Sequence, residues 1–205
     1  MMERISTLKL VPVIAIADSS QADGLANALI SAGLPIAEVT LRTPSSLESL
    51  RTIASHKEIL TGAGSLKNVR DLQLAIEAGA QFAVSAGFSP EIAAESIKLN
   101  LPYFPGVATP TEILQAINAG LTTLKFFPAE TLGGIAALKA IAAPFPDLRF
   151  MPTGGISLAN INNYLSSPAV IAVGGSWMVP QKLIDAGDFD EIEKLTRAAL
   201  GAITS

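Results

Sequence analysis

The sequence contains no cysteine and only one histidine, His56, among its 205 residues. These absences exclude disulfide bonds, thiol catalysis, cysteine-based zinc sites and three-histidine metal sites, because each of them needs side chains that the chain lacks. Charged residues are few as well, at 16%, with 14 basic and 18 acidic side chains. The net charge of −4 provides no basic face for a nucleic-acid backbone, so we expect no nucleic-acid partner. Because cysteine is absent and histidine occurs once, we also expect no metal ion.

The chain also lacks a run of about 20 apolar residues, the length that a membrane-spanning helix needs. No charged residue occurs between Arg149 and Lys182, but prolines, glycines and asparagines interrupt that stretch repeatedly. At the start of the chain, Arg4 and Lys9 precede the apolar residues 10–17, which leaves an export signal as an alternative. A Val- and Ile-rich run that contains proline fits a first buried strand better, so export is the second choice, and we expect no membrane contact.

What the sequence does contain is a repeated transition from helix to strand. Gly33, Gly79 and Gly120 each follow a helical pattern and each directly precede a short apolar segment. Glycine closes helices readily because it tolerates the left-handed conformation at the C′ position. The intervals of 46 and 41 residues between them would each accommodate two strand–helix units, so the chain is predicted to alternate strand and helix regularly.

We predict eight strands, near residues 10–16, 36–42, 59–63, 81–86, 102–106, 122–127, 148–153 and 170–174. We predict helices at 20–32, 45–56, 67–78, 89–99, 110–119, 131–142 and 157–165, and a further C-terminal helix at 189–203. Thr43-Pro44, Ser89-Pro90 and Thr109-Pro110 are expected to begin three of these helices. The pattern predicts one α/β domain spanning 1–205, a closed parallel (β/α)8 TIM barrel with an additional C-terminal helix.

A doubly wound nucleotide-binding sheet would show the same alternation, but its phosphate-binding motifs are missing. The sequence has no G-x-x-x-x-G-K-[ST] segment, and the first predicted turn lacks G-x-G-x-x-G. The nearest match, Gly62-Ala-Gly64, has Lys67 in place of the third glycine. We therefore expect no nucleotide cofactor.

Lys125 is the most unusual residue, because it lies inside an apolar strand, Leu-Lys-Phe-Phe-Pro, that should be buried on both faces. One interpretation is a lysine paired with an internal carboxylate, and the other is a catalytic amine. An amine attacks a ketone only when it is uncharged. Burial and a nearby cation such as Arg42 would both favour the uncharged form.

Polar residues also occupy one face of the second strand. The period-two alternation of a strand puts Glu38, Thr40 and Arg42 on one face, and Val39 and Leu41 on the other. If the apolar residues contact helices, the polar face lines the inside of the barrel with Arg42 nearest its mouth. An internal Glu–Arg ion pair without further function is the alternative interpretation.

Paired glycines follow the last two predicted strands, in Thr153-Gly154-Gly155 and in Gly174-Gly175-Ser176. Backbone N–H groups of such turns, with a helix N-terminus after them, can bind an anion closely. The loops after strands seven and eight often hold phosphate in this fold, although glycine pairs can also form simple tight turns. Together these features suggest Schiff-base chemistry on a phosphorylated keto substrate.

Several segments resemble the 2-dehydro-3-deoxy-phosphogluconate (KDPG) aldolase family. The matching segments are EVTLR (38–42), GAGS (62–65), PG with TPTE (105–106 and 109–112), LKFFPAE (124–130), PTGGI (152–156) and GGSW (174–177). The resemblance runs from the first strand to the last. Many members have threonine at the position of Ser65, and serine retains the hydroxyl group. Proline is usual at the position of Ala86.

This resemblance implies a class I aldolase that needs no cofactor and cleaves KDPG reversibly to pyruvate and glyceraldehyde 3-phosphate. Members often act on 4-hydroxy-2-oxoglutarate as well, and they are typically cytoplasmic homotrimers. The resemblance makes Lys125 the Schiff-base lysine and Glu38 the proton-transferring carboxylate. It assigns Arg42 and Ser65 to the substrate carboxylate. The phosphate-binding residues that it implies are Thr153, Gly154, Gly155, Gly175 and Ser176.

Two alternatives remain open at this point. One is an aldolase for the C4-epimeric, galactonate-derived substrate, since discrimination between the epimers depends on one hydroxyl group. The other is a non-catalytic phosphosugar-binding barrel in which Lys125 only pairs with an acid of the ligand. His56 is expected to be a surface residue outside the site.

Overall fold

Residues 1–204 are described by a computed structural model of the chain. The strands are β1 (Leu10–Ile14), β2 (Ile36–Thr40), β3 (Leu60–Gly64), β4 (Phe82–Val84), β5 (Tyr103–Phe104), β6 (Gly106–Val107), β7 (Thr123–Phe126), β8 (Arg149–Pro152) and β9 (Val173–Gly175). The helices are α1 (Met2–Leu8), α2 (Ala22–Ser31), α3 (Ser46–Ser55), α4 (Val69–Glu77), α5 (Pro90–Lys98), α6 (Pro110–Asn118), α7 (Gly134–Ala142), α8 (Ile161–Leu165), α9 (Gln181–Ala186) and α10 (Phe189–Thr204). The predicted alternation of strand and helix is confirmed.

All strand pairs are parallel, and they form two sheets within the described residues. The larger sheet has six strands in the order β5-β4-β3-β2-β1-β9, and the smaller has three in the order β6-β7-β8. Two isolated parallel bridges, Phe150–Val170 and Thr153–Gly174, connect the region of β8 to that of β9. The carboxyl ends of the strands therefore lie at one common edge of the fold.

The prediction of a continuous closed ring of eight strands is correct only in part. The predicted strand at 102–106 is divided into β5 and β6 by Pro105, which has no N–H to donate to a ladder. The chain passes from one sheet to the other at this residue. Isolated bridges, instead of a continuous ladder, join β8 and β9. The coarser expectation, an α/β fold with parallel strands and helical connections, is confirmed.

The helix-end prediction is confirmed at all three repeated glycines, with φ angles of 85° at Gly33, 94° at Gly79 and 78° at Gly120. Two of the predicted starts are also confirmed. Ser89 accepts a hydrogen bond from the Ile92 amide, and Thr109 forms a reciprocal capping box with Glu112.

The structure corrects the prediction that Thr43-Pro44 begins a helix, because α3 begins at Ser46. The Thr43 hydroxyl donates instead to the Ile16 carbonyl, in the preceding loop, at 2.5 Å.

The predicted helix at 157–165 is much shorter, since α8 begins at Ile161. The Asn160 side chain stabilises the segment before it as a loop. Its Oδ1 accepts from the Ser157 amide at 2.8 Å and its Nδ2 donates to the Gly155 carbonyl at 3.2 Å. The predicted helix at 131–142 also starts late, at Gly134, because the preceding Gly133 has a φ angle of 104°, outside the helical region.

Two helices, α1 and α9, were missed. Ile5 is the buried side chain of α1, and Arg4 donates to the carbonyls of Pro35, at 2.9 Å, and of Glu58. Because these carbonyls precede β2 and β3, α1 lies at the amino end of the sheet, opposite the carboxyl ends of the strands. A seven-residue helix with one buried side chain has too little periodicity to be predicted.

The predicted C-terminal helix is confirmed as α10, and the Asp188 carboxylate accepts from the Glu191 amide at 3.2 Å as expected. The helix packs on α2, where the Phe189 ring lies so close to Gly24 that a Cβ there would approach it to 2.2 Å. In the part of the chain that is described, no helix has both the length and the apolarity to cross a membrane.

Tyr164, on α8, is fully buried, and its hydroxyl donates to the Glu130 carboxylate. Burial raises the pKa of Tyr164, and the hydrogen bond and negative charge of Glu130 raise it further. In the unfolded chain the group would titrate near its ordinary value, about 10. The unfolded state therefore loses this proton first as the pH rises, and the folded state loses stability above that value.

We predict that the free energy of unfolding of the parent protein falls between pH 10 and pH 11.5, and that it falls less in Tyr164→Phe. Urea denaturation curves at intervals across this range measure the effect. Tyr103→Phe is a comparison variant, because burial also raises the pKa of Tyr103 but its partner is the neutral Ser85 hydroxyl. Equal slopes for the parent and Tyr164→Phe would contradict the role given to the Glu130 contact.

Candidate active site

Lys125 and Glu38 meet in the interior of the fold, although they come from strands that are not neighbours. Lys125 lies on β7 and Glu38 on β2, and the Lys125 Nζ is 3.2 Å from Glu38 Oε1. Both residues are buried, at 5% and 0% exposure. Strands from both sheets thus direct one amine and one carboxylate to the same interior point, near the carboxyl ends of the strands.

The pair is only partly satisfied by contacts with the protein. Glu38 Oε2 is buried and has no hydrogen-bond partner among the described residues. The Lys125 Nζ lies 5.3 Å from the centre of the Phe127 ring, so one side of the amine is covered by an aromatic face. A buried carboxylate oxygen without a partner is costly unless a ligand or water binds it, so the geometry indicates a binding position beside the pair.

Gly64, at the end of β3, makes room for this arrangement. A Cβ at that residue would lie 2.3 Å from Glu38 Oε1 and 2.8 Å from its Cγ, which no side chain could tolerate without moving the carboxylate. A Cβ at Gly62 would meet the Phe82 ring instead, at 2.1 Å. The glycines of this segment, which resembled part of a nucleotide motif, therefore serve the packing of Glu38 and Phe82.

The strand predicted to extend to residue 42 ends at Thr40, so Arg42 lies in the turn that follows β2, and it is exposed. Its Nε donates to the Thr40 hydroxyl oxygen at 3.1 Å. The alternative interpretation, an internal Glu38–Arg42 ion pair, is wrong, since Glu38 pairs with Lys125. The expected influence of Arg42 on the amine stays a prediction.

Ser65 directly follows β3 and has a φ angle of 61°, which is uncommon for a residue other than glycine. Its loop lies beside that of Arg42, because the Leu41 amide donates to the Gly64 carbonyl at 2.8 Å. Strained backbone of this kind is often found at functional sites. The structure thus positions Arg42 and Ser65 on adjacent loops at the carboxyl ends of β2 and β3.

Thr153, Gly154 and Gly155 follow β8, next to the segment that follows Lys125. The Ala129 amide donates to the Thr153 carbonyl at 2.8 Å, and the Glu130 amide to the Gly154 carbonyl at 3.0 Å. The φ angles of 102° at Gly154 and 77° at Gly155 require glycine, and a Cβ at Gly155 would also approach the Glu130 Cβ to 2.6 Å. The expected helix N-terminus directly after these glycines is absent, because α8 begins at Ile161.

Gly175 ends β9, and Ser176 follows it as an exposed residue. The segment after β8 contacts β9, because Thr153 pairs with Gly174 and a Cβ at Gly174 would lie 2.3 Å from the Thr153 hydroxyl oxygen. The Trp177 ring packs so closely on Gly175 that a Cβ there would approach it to 1.8 Å. The two glycine-containing segments therefore lie side by side at this edge of the fold.

His56 lies at the end of α3, on the amino side of β3 and so at the opposite end of the strands. Its Nε2 is 2.9 Å from Asp23 Oδ1, and its side chain is half-buried. No group of three or more potential metal-ligating side chains occurs among residues 1–204.

Lys125, Glu38 and the loop residues could be proposed from the sequence alone, whereas the structural importance of Gly64 and Thr40 could not. Gly64 belongs to the GAGS segment (62–65), which resembles the aldolase family and, in part, a nucleotide motif, but neither resemblance gives this glycine a structural role. Thr40 was placed on the polar face of β2 without a role. The signal for each was its position at the carboxyl end of a strand. Thr40 lies two residues before Arg42, and Gly64 lies one residue before Ser65.

Comparisons with known proteins agree with this geometry. The family model for KDPG and KHG aldolases matches residues 1–195. The KHG/KDPG aldolase of Escherichia coli K12 is 43% identical over 96% of this chain and 92% of its own length. The 2-dehydro-3-deoxy-phosphogluconate aldolase of Treponema pallidum is 42% identical over 97% of this chain and 95% of its own length.

A solved structure, KDPG aldolase from Legionella pneumophila with pyruvate captured as a covalent carbinolamine intermediate, superimposes with a TM-score of 0.92. The two chains are 38% identical, and the match covers 96% of each. Both the sequence and the fold are thus shared over nearly the full length. This chain therefore belongs to the KDPG and KHG aldolase family.

Proposed function

We propose that this protein is a class I aldolase that cleaves 2-dehydro-3-deoxy-6-phosphogluconate to pyruvate and glyceraldehyde 3-phosphate. The observation that carries the proposal is the buried amine of Lys125, 3.2 Å from the Glu38 carboxylate, whose second oxygen has no partner among the described residues. The covalent carbinolamine captured in the Legionella relative supports the same chemistry. The likeness to the KHG/KDPG aldolase of E. coli supports 4-hydroxy-2-oxoglutarate, which yields pyruvate and glyoxylate, as a second substrate.

The reaction begins with the amine. Lys125 must lose a proton before it attacks, and Glu38 Oε1 lies within hydrogen-bond distance to accept it. The nitrogen adds to the C2 ketone of the substrate to form a carbinolamine, and loss of water then gives a protonated imine. This imine is the electron sink for the next step.

Cleavage requires removal of the proton from the C4 hydroxyl, and Glu38, directly or through a water molecule, is the base. The C3–C4 bond breaks, its electron pair moves toward the imine nitrogen, and glyceraldehyde 3-phosphate leaves. The remaining enamine takes a proton at C3 from the same carboxylate. Hydrolysis of the resulting imine releases pyruvate and restores Lys125. Because every proton is carried by Lys125, Glu38 or water, this scheme needs no cofactor.

Arg42 and Ser65 are proposed to bind the carboxylate of the pyruvyl half. Support comes from their adjacent loops and from the guanidinium, which is exposed and can form paired hydrogen bonds with a carboxylate. Thr153, Gly154, Gly155, Gly175 and Ser176 are proposed to bind the phosphate. Support comes from the contact between their loops and from the glycine conformations, which allow close approach of the backbone.

Three further expectations complete the proposal. The two sheets and their connecting bridges are proposed to act as one (β/α)8 barrel within a single domain, with the substrate entering at the carboxyl ends of the strands. The active species is proposed to be a cytoplasmic homotrimer, as the family resemblance implies. These expectations do not alter the assignment of the reacting groups.

Trapping with borohydride tests the proposed Schiff base. We expect pyruvate and sodium borohydride to inactivate the parent protein and to add one reduced pyruvyl group to the peptide that contains Lys125, while Lys125→Ala gains none. Lys139→Ala is the matched control, because this lysine is exposed on α7, and it should be trapped like the parent. A parent protein that binds pyruvate but is never trapped would contradict the proposal and favour a binding barrel.

Coupled assays of pyruvate release from both C4 epimers distinguish the galactonate-derived alternative.

Ser176→Ala tests the phosphate assignment. We expect KM for the phosphorylated substrate to rise about 10-fold, as for loss of one hydrogen bond to a charged group, and KM for 4-hydroxy-2-oxoglutarate to remain within about twofold. Steady-state assays of both substrates measure the ratio. A similar rise in KM for both would show that Ser176 does not contact the phosphate.

A further inference from the structure

Three hydroxyl groups attach the end of β2 and the loop that carries Arg42 to the end of β1 and the loop after it. Thr40 Oγ1 donates to the Ile14 carbonyl at 2.7 Å, and Thr43 Oγ1 donates to the Ile16 carbonyl at 2.5 Å. Ser45 Oγ donates to the Ala17 carbonyl at 2.8 Å. The segment after β2 is therefore tied at intervals to the carboxyl end of β1 and to the loop that follows it.

Thr40 differs from the other two hydroxyl groups because it also contacts Arg42. A hydroxyl has one proton to donate and two lone pairs with which to accept. The Thr40 proton points to the Ile14 carbonyl, so its oxygen is oriented to accept from Arg42 Nε, at 3.1 Å. Thr40 is buried, with 2% exposure, whereas Arg42 is exposed. A buried and oriented acceptor thus holds a guanidinium that would otherwise move in solvent.

We propose that Thr40 is a positioning residue that directs the Arg42 guanidinium toward the substrate carboxylate. With Nε bonded to Thr40, the edge that carries the two Nη atoms is the one presented to the ligand. The guanidinium is planar and rigid, so one hydrogen bond at Nε determines the direction of that edge. Thr40 is the last residue of β2, the strand that carries the proton-transferring Glu38, so it anchors the turn of Arg42 to that strand.

The inference rests on the proposed aldolase function, and it makes a claim about kinetics that a structural role does not. Arg42 would bind the carboxylate in the ground state and in the transition state alike. Loss of its orientation should therefore raise KM and leave kcat nearly unchanged. Both candidate substrates share the pyruvyl carboxylate, so both KM values should rise equally, in contrast to the change expected for Ser176→Ala.

Thr40→Val, which keeps the shape of the side chain and removes the hydroxyl, is the main test. We expect KM to rise about 10-fold for both substrates, with kcat within about twofold of the parent. Thr40→Ser should restore parental KM. Ser45→Ala is the matched control, because it removes a tether of the same loop without touching Arg42, and it should also keep parental KM.

A double-variant cycle with Arg42→Ala separates positioning from general destabilisation. If Thr40 acts through Arg42, Thr40→Val should add less than about twofold to the KM of Arg42→Ala, because the guanidinium that it would orient is gone. Multiplicative effects, or a lowered Tm with unchanged KM in Thr40→Val, would overturn the inference. Thr40→Ala, which also lacks the hydroxyl, serves the same comparison if Thr40→Val does not fold.

The parent protein in the same assays distinguishes the two claims. If the parent cleaves neither substrate, the proposed function fails, and this inference fails with it. If the parent cleaves both substrates while Thr40→Val keeps parental KM, only the role given to Thr40 is wrong.

Discussion

The buried contact between Lys125 and Glu38 is the interaction on which the rest of the site depends. Placing an ammonium and a carboxylate in a protein interior is expensive, and such a pair is weak evidence for stability on its own. Here the pair joins strands of two different sheets and leaves one carboxylate oxygen without a partner in the described structure. An arrangement that served only stability would satisfy both oxygens, whereas a proton carrier needs one oxygen directed at its substrate.

Glycines around the site leave space that the functional side chains occupy. Gly64 leaves the volume that the Glu38 carboxylate occupies, and Gly174 leaves the volume that the Thr153 side chain occupies. Contacts between loops position the Arg42 loop, since hydroxyl groups attach it to the carboxyl end of β1 and to the loop that follows β1. Helix α1 lies at the opposite, amino end of the sheet, away from the carboxyl ends where the proposed binding groups lie.

Much of this arrangement could be predicted from the sequence because its signals are local. Gly33, Gly79 and Gly120 mark helix ends through a property of a single residue, and Lys125 is conspicuous because an apolar strand surrounds it. Other features depend on contacts between distant segments. The partner of Glu38 could not be chosen between Lys125 and Arg42, since that choice depends on which strands face each other across the interior.

The wrong predictions have the same origin. Thr43-Pro44 has the composition of a helix start, but the Thr43 hydroxyl contacts the Ile16 carbonyl of the neighbouring loop and the Ser46 hydroxyl, and α3 begins only at Ser46. The helix predicted from residue 157 starts late because the Asn160 side chain satisfies the backbone of the loop before it. Pro105 was read as part of one strand, and its missing N–H divides that strand between two sheets. In each case one specific hydrogen bond, made or absent, outweighed a local preference.

The central claim is that Lys125 forms the imine while Glu38 moves the proton, and exchange of the methyl protons of pyruvate tests both roles together. Proton NMR in D2O follows the loss of the methyl signal as the enamine forms and is deuterated at C3. We predict rapid exchange with the parent protein, none with Lys125→Ala, and exchange slowed by about 100-fold or more with Glu38→Gln. Exchange at the parental rate in Glu38→Gln, or any enzyme-dependent exchange in Lys125→Ala, would contradict the account.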